Sequence, residues 1–162
     1  MMIASLWLLA FGAPLTNEVR LSASYGQPGS DLSNFGDQMV AGMGYAWQVG
    51  NQSYVPLELE ATVDSGSYPD YEFWALNVGY EFVANPWFYF FVGAGYGHIE
   101  LGRRDEDGIN HFAGLGLRFG DHVRLFGRGD YFVAGSSNDG SIEFNNLNLN
   151  VSLVRIGLTF AF

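Results

Sequence analysis

Seventeen acidic residues against seven arginines and no lysine give this 162-residue chain a net charge of −10. That balance argues against nucleic acid as a partner, because phosphate binding needs a basic face. The chain has no cysteine, which excludes disulfides, thiolate metal sites, cysteine nucleophiles and a lipid-bearing N-terminal cysteine.

Residues 1–13, MMIASLWLLAFGA, resemble the apolar core of a secretory signal without its positively charged leader. Ala10 and Gly12 supply small residues for cleavage. A retained apolar segment is the alternative. The division read here is a signal remnant at 1–13 and a single domain at 14–162. After residue 16 no apolar run approaches the ~20 residues of a membrane helix. The 14 Phe, 9 Tyr, 4 Trp and 22 Gly favour strands and turns.

From Asn17 the apolar residues alternate with period two, the spacing of strands. The first segment, 17–26, puts Val19, Leu21, Ala23 and Tyr25 on one face and Glu18 and Arg20 on the other. The second, 38–50, sets Met39, Ala41, Met43, Tyr45 and Trp47 against Gly42 and Gly44. The third, 53–64, sets Val55, Leu57, Leu59, Ala61 and Val63 against Glu58 and Glu60. Pro56 shares that second face, where it must cost a ladder bond or mark a bulge. The fourth, 71–83, sets Trp74, Leu76, Val78, Tyr80 and Phe82 against Glu81. The fifth, 87–101, sets Phe88, Phe90, Val92, Ala94 and Tyr96 against Gly93 and Gly95. The sixth, 109–120, sets Ala113, Leu115, Leu117 and Phe119 against Gly114, Gly116 and Arg118. The seventh, 122–134, sets Val123, Leu125, Gly127, Gly129, Tyr131 and Val133 against Arg124, Arg128 and Asp130. The eighth, 147–162, sets Val154, Ile156, Leu158, Phe160 and Phe162 against Arg155.

The first-named faces carry no charge, and the opposite faces carry five acids and five arginines. A charge facing lipid at mid-depth costs about 2–4 kcal/mol, so the uncharged faces meet lipid and the charges point inward. A soluble eight-stranded barrel such as a lipocalin has the reverse polarity. Tight connections near Gly50-Asn51-Gln52, Ala84-Asn85-Pro86 and Gly120-Asp121 alternate with longer polar ones at 27–37, 65–70, 102–108 and 135–146. Short turns on one side and long loops on the other mark an outer-membrane barrel. The expected fold is all-β: an eight-stranded antiparallel up-and-down transmembrane β-barrel in the bacterial outer membrane.

The terminal run from Arg155 to Phe162, RIGLTFAF, resembles the C-terminal signal of outer-membrane barrels, with Phe160 and Phe162 as its membrane-insertion residues. Phe91 to Gly97, FVGAGYG, is similar to a glycine-rich strand of such proteins. On these features the chain resembles the small eight-stranded OmpA/OmpX-type family. The resemblance implies outer-membrane lipid and lipopolysaccharide as surroundings and the barrel-assembly machinery as a partner during insertion. It does not select a function, because the fold hosts adhesins, anchors and enzymes.

Glu18, Arg20, Glu58, Glu60, Glu81, Arg118, Arg124, Arg128, Asp130 and Arg155 are expected to form an ion-pair network that plugs the lumen, with inward glycines leaving room for the arginines. The long loops are acidic, with Asp31, Asp37, Asp64, Asp70, Glu72, Glu100, Asp105, Glu106, Asp107, Asp139 and Glu143. Carboxylates there suit loosely bound Ca²⁺ or Mg²⁺, and Asp105 to Gly108 is a fragment of a calcium loop. In a regular hairpin with a long loop, His98 and His111 face each other; with Glu100 they are candidates for a Zn²⁺ or Cu²⁺ site. Ser137-Asn138 resembles the Ser-Asn pair of lipid A acyl hydrolases, and Glu143 is close by. The family's histidine position is Gly135 here, which leaves the serine without a base. The reading is therefore a non-enzymatic barrel acting in surface interaction, adhesion or envelope stabilisation, with an unidentified protein partner at its loops. The alternatives are a lipid A deacylase and the barrel subunit of a larger envelope assembly.

Overall fold

The computed structural model describes residues 17–30, 37–63, 72–101, 104–135 and 150–162. It contains eight strands: β1 Glu18–Ser30, β2 Gln38–Gly50, β3 Ser53–Val63, β4 Glu72–Asn85, β5 Phe88–Leu101, β6 Arg104–Phe119, β7 Val123–Gly135 and β8 Asn150–Ala161. Each pairs antiparallel with its chain neighbours, and β8 returns to β1 to close the barrel. Closure leaves no strand edge in lipid, where an unpaired backbone group has no water to bond. The last residue takes part: Phe162 N–H donates to Val19 O at 3.0 Å, and Val19 N–H to Phe162 O at 3.1 Å.

The register fixes the shape. Cα partners run from Val19 through Tyr45, Leu57, Val78, Ala94, His111, Tyr131 and Ser152 to Gly29, a shift of ten residues along β1 (29 − 19). Ten residues over eight strands, at ~3.3 Å rise and ~4.8 Å spacing, tilt the strands by about 40°. Val19, Met43, Val78, Val92, Leu115, Val154 and Ile156 are among the exposed apolar residues that form the outer belt. Tyr25, Trp74, Tyr96 and Tyr131 ring its loop end; Trp47, Phe82, Phe119 and Phe162 ring its turn end. This is the aromatic-girdled exterior of a membrane barrel, whose short turns face the periplasm.

Two elements run four or more residues beyond what the alternation indicates. β1 continues to Ser30 against β8, and β6 begins at Arg104 rather than 109, pairing Leu101 with Arg104. The connection expected over 102–108 is thus a tight one, and Asp105, Glu106 and Asp107 are strand residues. The apolar alternation stops where lipid stops, whereas the backbone ladder continues into water. Residues 64, 71 and 147–149 of the expected strands, and residues 1–13 of the signal reading, lie outside the described residues.

Pro56 faces inward and is buried. The β3–β4 ladder is interrupted at Val55 and Pro56, yet Tyr54–Glu81 and Leu57–Val78 keep one register, so the missing N–H costs pairing without a bulge. Of the inward glycines, Gly26 does make room for an arginine, since a Cβ there would lie 2.6 Å from Arg155 Cγ, whereas Gly42, Gly44 and Gly95 face Ser22, Glu58 and Asn77, and Gly93, Gly114 and Gly116 face aromatic rings. A Cβ at Gly93 would lie 2.3 Å from Phe112 Cζ, one at Gly114 2.3 Å from Phe91 Cζ, and one at Gly116 2.5 Å from the Tyr89 ring. Aromatic rings fill the space that these glycines leave.

Candidate functional site

The inward residues of β7, read from the turn end, are Arg124, Phe126, Arg128, Asp130 and Phe132, and they mark the tiers of the lumen. The first tier is a ring of two arginines and two glutamates. Arg20 Nη1 donates to Glu81 Oε2 at 2.9 Å and Arg20 Nη2 to Glu18 Oε2 at 2.8 Å. Arg124 Nη1 donates to Glu81 Oε1 at 2.8 Å and Arg124 Nη2 to Glu18 at 2.6 Å. Each carboxylate bridges both guanidiniums. The Tyr54 ring lies 5.6 Å from the Arg20 guanidinium carbon and 5.7 Å from that of Arg124. A middle tier of rings follows, with Phe91 6.2 Å from Phe126 and 6.3 Å from Phe112.

The next tier is charged again. Arg155 Nε donates to Asp130 Oδ2 at 2.9 Å, Nη2 to Glu60 Oε2 at 3.1 Å and Nη1 to Ser24 Oγ at 3.4 Å. Arg128 Nη2 donates to Asp130 Oδ1 at 2.7 Å and Nη1 to Glu60 Oε1 at 3.0 Å, with its guanidinium 3.9 Å above the Phe112 ring. Asn77 Nδ2 donates to Glu60 at 2.7 Å, and Asn110 Nδ2 reaches both Asn77 at 3.1 Å and Asp130 at 3.2 Å. Nearest the loop end lies an apolar tier of Val40, Phe73, Ile99, Phe132, Val151 and Leu153, all buried. Fork-shaped guanidiniums suit this work, because burying a charge is tolerable only when its hydrogen bonds are met.

The ten charged residues therefore divide into two groups of four and two residues apart from them. Glu58 lies 3.9 Å from Arg128 Nη1, beyond hydrogen-bond reach, and lines a cavity of about 30 Å³ between the charged tiers. That is room enough for water beside the carboxylate, since a single water needs about 10–15 Å³. Arg118 is the last inward residue of β6. It is half-buried at the turn-side mouth and is the one arginine among the described side chains without an ion pair. Charge alone did not single out Tyr54, Asn77, Tyr89, Asn110 and Phe112, although each stands on the inward alternation.

The outer rim differs from the sequence reading. The tight β5–β6 hairpin makes Asp107, not His111, the partner of His98, while His111 stands opposite Ala94 and Tyr131. His98 Nδ1 lies 2.9 Å from Asp107 Oδ1, and its ring stacks on Trp74 at 5.7 Å. The His98, Glu100 and His111 grouping is thus not assembled, and no metal-holding group of three such residues occurs among the described residues. Asp105, Glu106 and Asp107 alternate along a strand, so they do not wrap a cation as a calcium loop does. Glu72, Glu100 and Asp105 form one outward cross-strand row. Phe160 and Phe162 face outward at the turn end. Asp31, Asp64, Asp70, Ser137, Asn138, Asp139 and Glu143 lie outside the described residues.

Neither a protein-family model nor a curated protein sequence matches the chain. Solved structures do. The N-terminal β-barrel domain of Pseudomonas aeruginosa OprF superposes with a TM-score of 0.61 at 16% identity, over 92% of this chain and 100% of that one. Ail, the attachment invasion locus protein of Yersinia pestis, gives 0.57 at 15%, over 90% and 97%. The outer-membrane enzyme PagL gives 0.50 at 15%, over 86% and 97%. At these identities the likeness is one of fold. With its apolar belt and charged interior, the chain is a small eight-stranded barrel of the bacterial outer membrane.

Proposed function

We propose that this outer-membrane barrel is non-enzymatic and closed to solutes, and that it presents an acidic loop end for surface interaction, adhesion or envelope stabilisation. The observation that carries the reading is the cross-lumen pairing: Glu60 on β3 is bonded by Arg128 on β7 and Arg155 on β8, which ties opposite walls together. With interior side chains spanning the barrel, the surface left for an interaction is outside it. The outward row of Glu72, Glu100 and Asp105, directly above Trp74 and His98, supports this reading, since carboxylates at the loop end suit lipopolysaccharide-bridging divalent cations such as Ca²⁺ or Mg²⁺. A basic protein surface suits the same end. The fold shared with an attachment protein is compatible with this reading.

Planar-bilayer recording tests it. The refolded barrel should show no porin-sized ohmic conductance, and such conductance would overturn the closed-lumen reading. The hydrolase reading rests on Ser137-Asn138 and on a fold shared with an outer-membrane enzyme. Mass spectrometry of lipid A incubated with the barrel separates the two, since loss of an acyl chain would replace the non-enzymatic reading.

A further inference from the structure

The charges of the barrel are unevenly placed. Its two buried tiers neutralise themselves, and apart from Glu58 in the lumen and Asp121 at the turn end the remaining described acids crowd the loop end. The turn end is nearly free of charge, with Asn17, Asn51, Gln52, Asn85, Pro86, Trp87, Gly120, Asp121 and His122 along its rim. Arg118 stands there. Its Nε–H is buried without a hydrogen-bond partner, and its guanidinium makes no ion pair among the described residues. Glu18 is close by, but it is held by Arg20 and Arg124. Asp121 lines the same space without coming within ion-pair distance. Residues 1–16, which lead into Asn17, contain no Asp or Glu, so that segment has no side-chain carboxylate to offer.

Two recesses meet at Arg118. One, of about 350 Å³, opens at the lumen mouth between Asn17, Tyr54, His122 and Phe162. The other, of about 330 Å³, lies between the β4–β5 and β6–β7 turns against Pro86 and Trp87. Trp87 is 67% exposed. The backbone joins the two, since Arg118 N–H donates to Trp87 O at 2.9 Å.

We propose that the turn-side mouth binds the C-terminal carboxylate of a peptide, with Arg118 holding the carboxylate and Pro86 and Trp87 receiving an apolar last side chain. A guanidinium fork matches a carboxylate with two parallel hydrogen bonds. Glu18 and Asp121 nearby oppose a doubly charged phosphate more than a singly charged carboxylate. The mouth is lined by inward side chains and turns, so the ligand arrives from water rather than from lipid. In the outer-membrane orientation that water is the periplasm, and the partner is a periplasmic protein or peptide with a free apolar C-terminus.

The test uses the full chain refolded in phospholipid nanodiscs, with ¹⁵N signals of the Arg118 Nε–H and Trp87 indole N–H followed by NMR. The probes are acetyl-glycyl-leucine with a free carboxylate, the same peptide as its C-terminal amide, and inorganic phosphate. Saturable shifts of both signals are expected with the carboxylate alone. In Arg118→Gln the Trp87 shift should be lost, and in Arg118→Lys it should be weakened but present. No saturable shift, or equal shifts with the amide, would overturn the site. An equal response to phosphate would overturn the peptide assignment.

Discussion

Arg155 on β8 and Glu60 on β3 stand 95 residues apart in the chain and meet across the barrel interior, Nη2 to Oε2 at 3.1 Å. The same guanidinium holds Asp130. Arg155→Ala leaves two buried carboxylates with one arginine between them. Removing one partner of a buried ionic group costs about 3–5 kcal/mol, more than the intact group contributes. Urea unfolding of the barrel in lipid vesicles, followed by tryptophan fluorescence, should show that loss. A change below about 1 kcal/mol, the scale of an exposed ion pair, would mean that the tier is not a coupled unit.

Glu58 and Glu60 share the inward face of β3 but not a role. Glu60 accepts from Arg128, Arg155 and Asn77, whereas the ion-pair partner of Glu58 among the described residues is Arg128 alone, at 3.9 Å. Glu60→Gln should therefore be destabilising by about 3 kcal/mol or more, because two guanidiniums lose their shared negative charge and one accepting oxygen becomes an NH2 donor facing other donors. Glu58→Gln should stay within about 1 kcal/mol of the parent, because it gives up no hydrogen bond and keeps a polar side chain at the cavity. The paired unfolding curves carry the test. Equal losses would show that position on the strand, rather than the hydrogen bonds, sets the energy.

Glycines on opposite faces of the wall predict opposite outcomes. Gly93→Ala drives a methyl group to within 2.3 Å of Phe112 Cζ and 2.4 Å of Val78 O. Overpacking of this kind costs about 1–3 kcal/mol, and here one neighbour is backbone that has nowhere to move. Gly129→Ala points into open space on the lipid side. It should be neutral or stabilising by up to about 1 kcal/mol, since alanine has fewer unfolded states to lose. Refolding yield and urea midpoints of the two variants in one lipid distinguish these outcomes.

The outer face was legible because lipid demands an apolar side chain at every second residue, as Val154, Ile156, Leu158 and Phe160 show. The inward charges were legible for the converse reason. Their partners were not. Arg124 meets Glu81 on β4 and Glu18 on β1 only because the sheet closes with a ten-residue shift, which no single hairpin reveals. The partner of His98 is not legible because the signal fails there: residues 104–108 pair in water, and their side chains carry no alternation that lipid would impose. The arginines are the conspicuous inward residues, which makes the inward glycines look like space for them, yet only Gly26 sits against one, and at Gly93, Gly114 and Gly116 the rings of Phe112, Phe91 and Tyr89 occupy that space.

The apolar tier at the loop end makes a last prediction. Phe132 is 2% exposed and meets Phe73 edge to face at 5.8 Å, one layer beyond Asp130 and Arg155. Ion pairs are weaker in contact with water, so the rings protect the charged tier as well as burying their own surface. Phe132→Ala should cost about 3–5 kcal/mol, the range for removing a buried ring. It should also admit water to the tier beneath. Amide hydrogen exchange along β7 and β8 should then quicken at Asp130 and Leu153 while Arg124 and Phe160, at the turn end, keep the parent's protection. Uniform acceleration along both strands would mean instead that the barrel opens as one unit and that the apolar tier is not a separate seal.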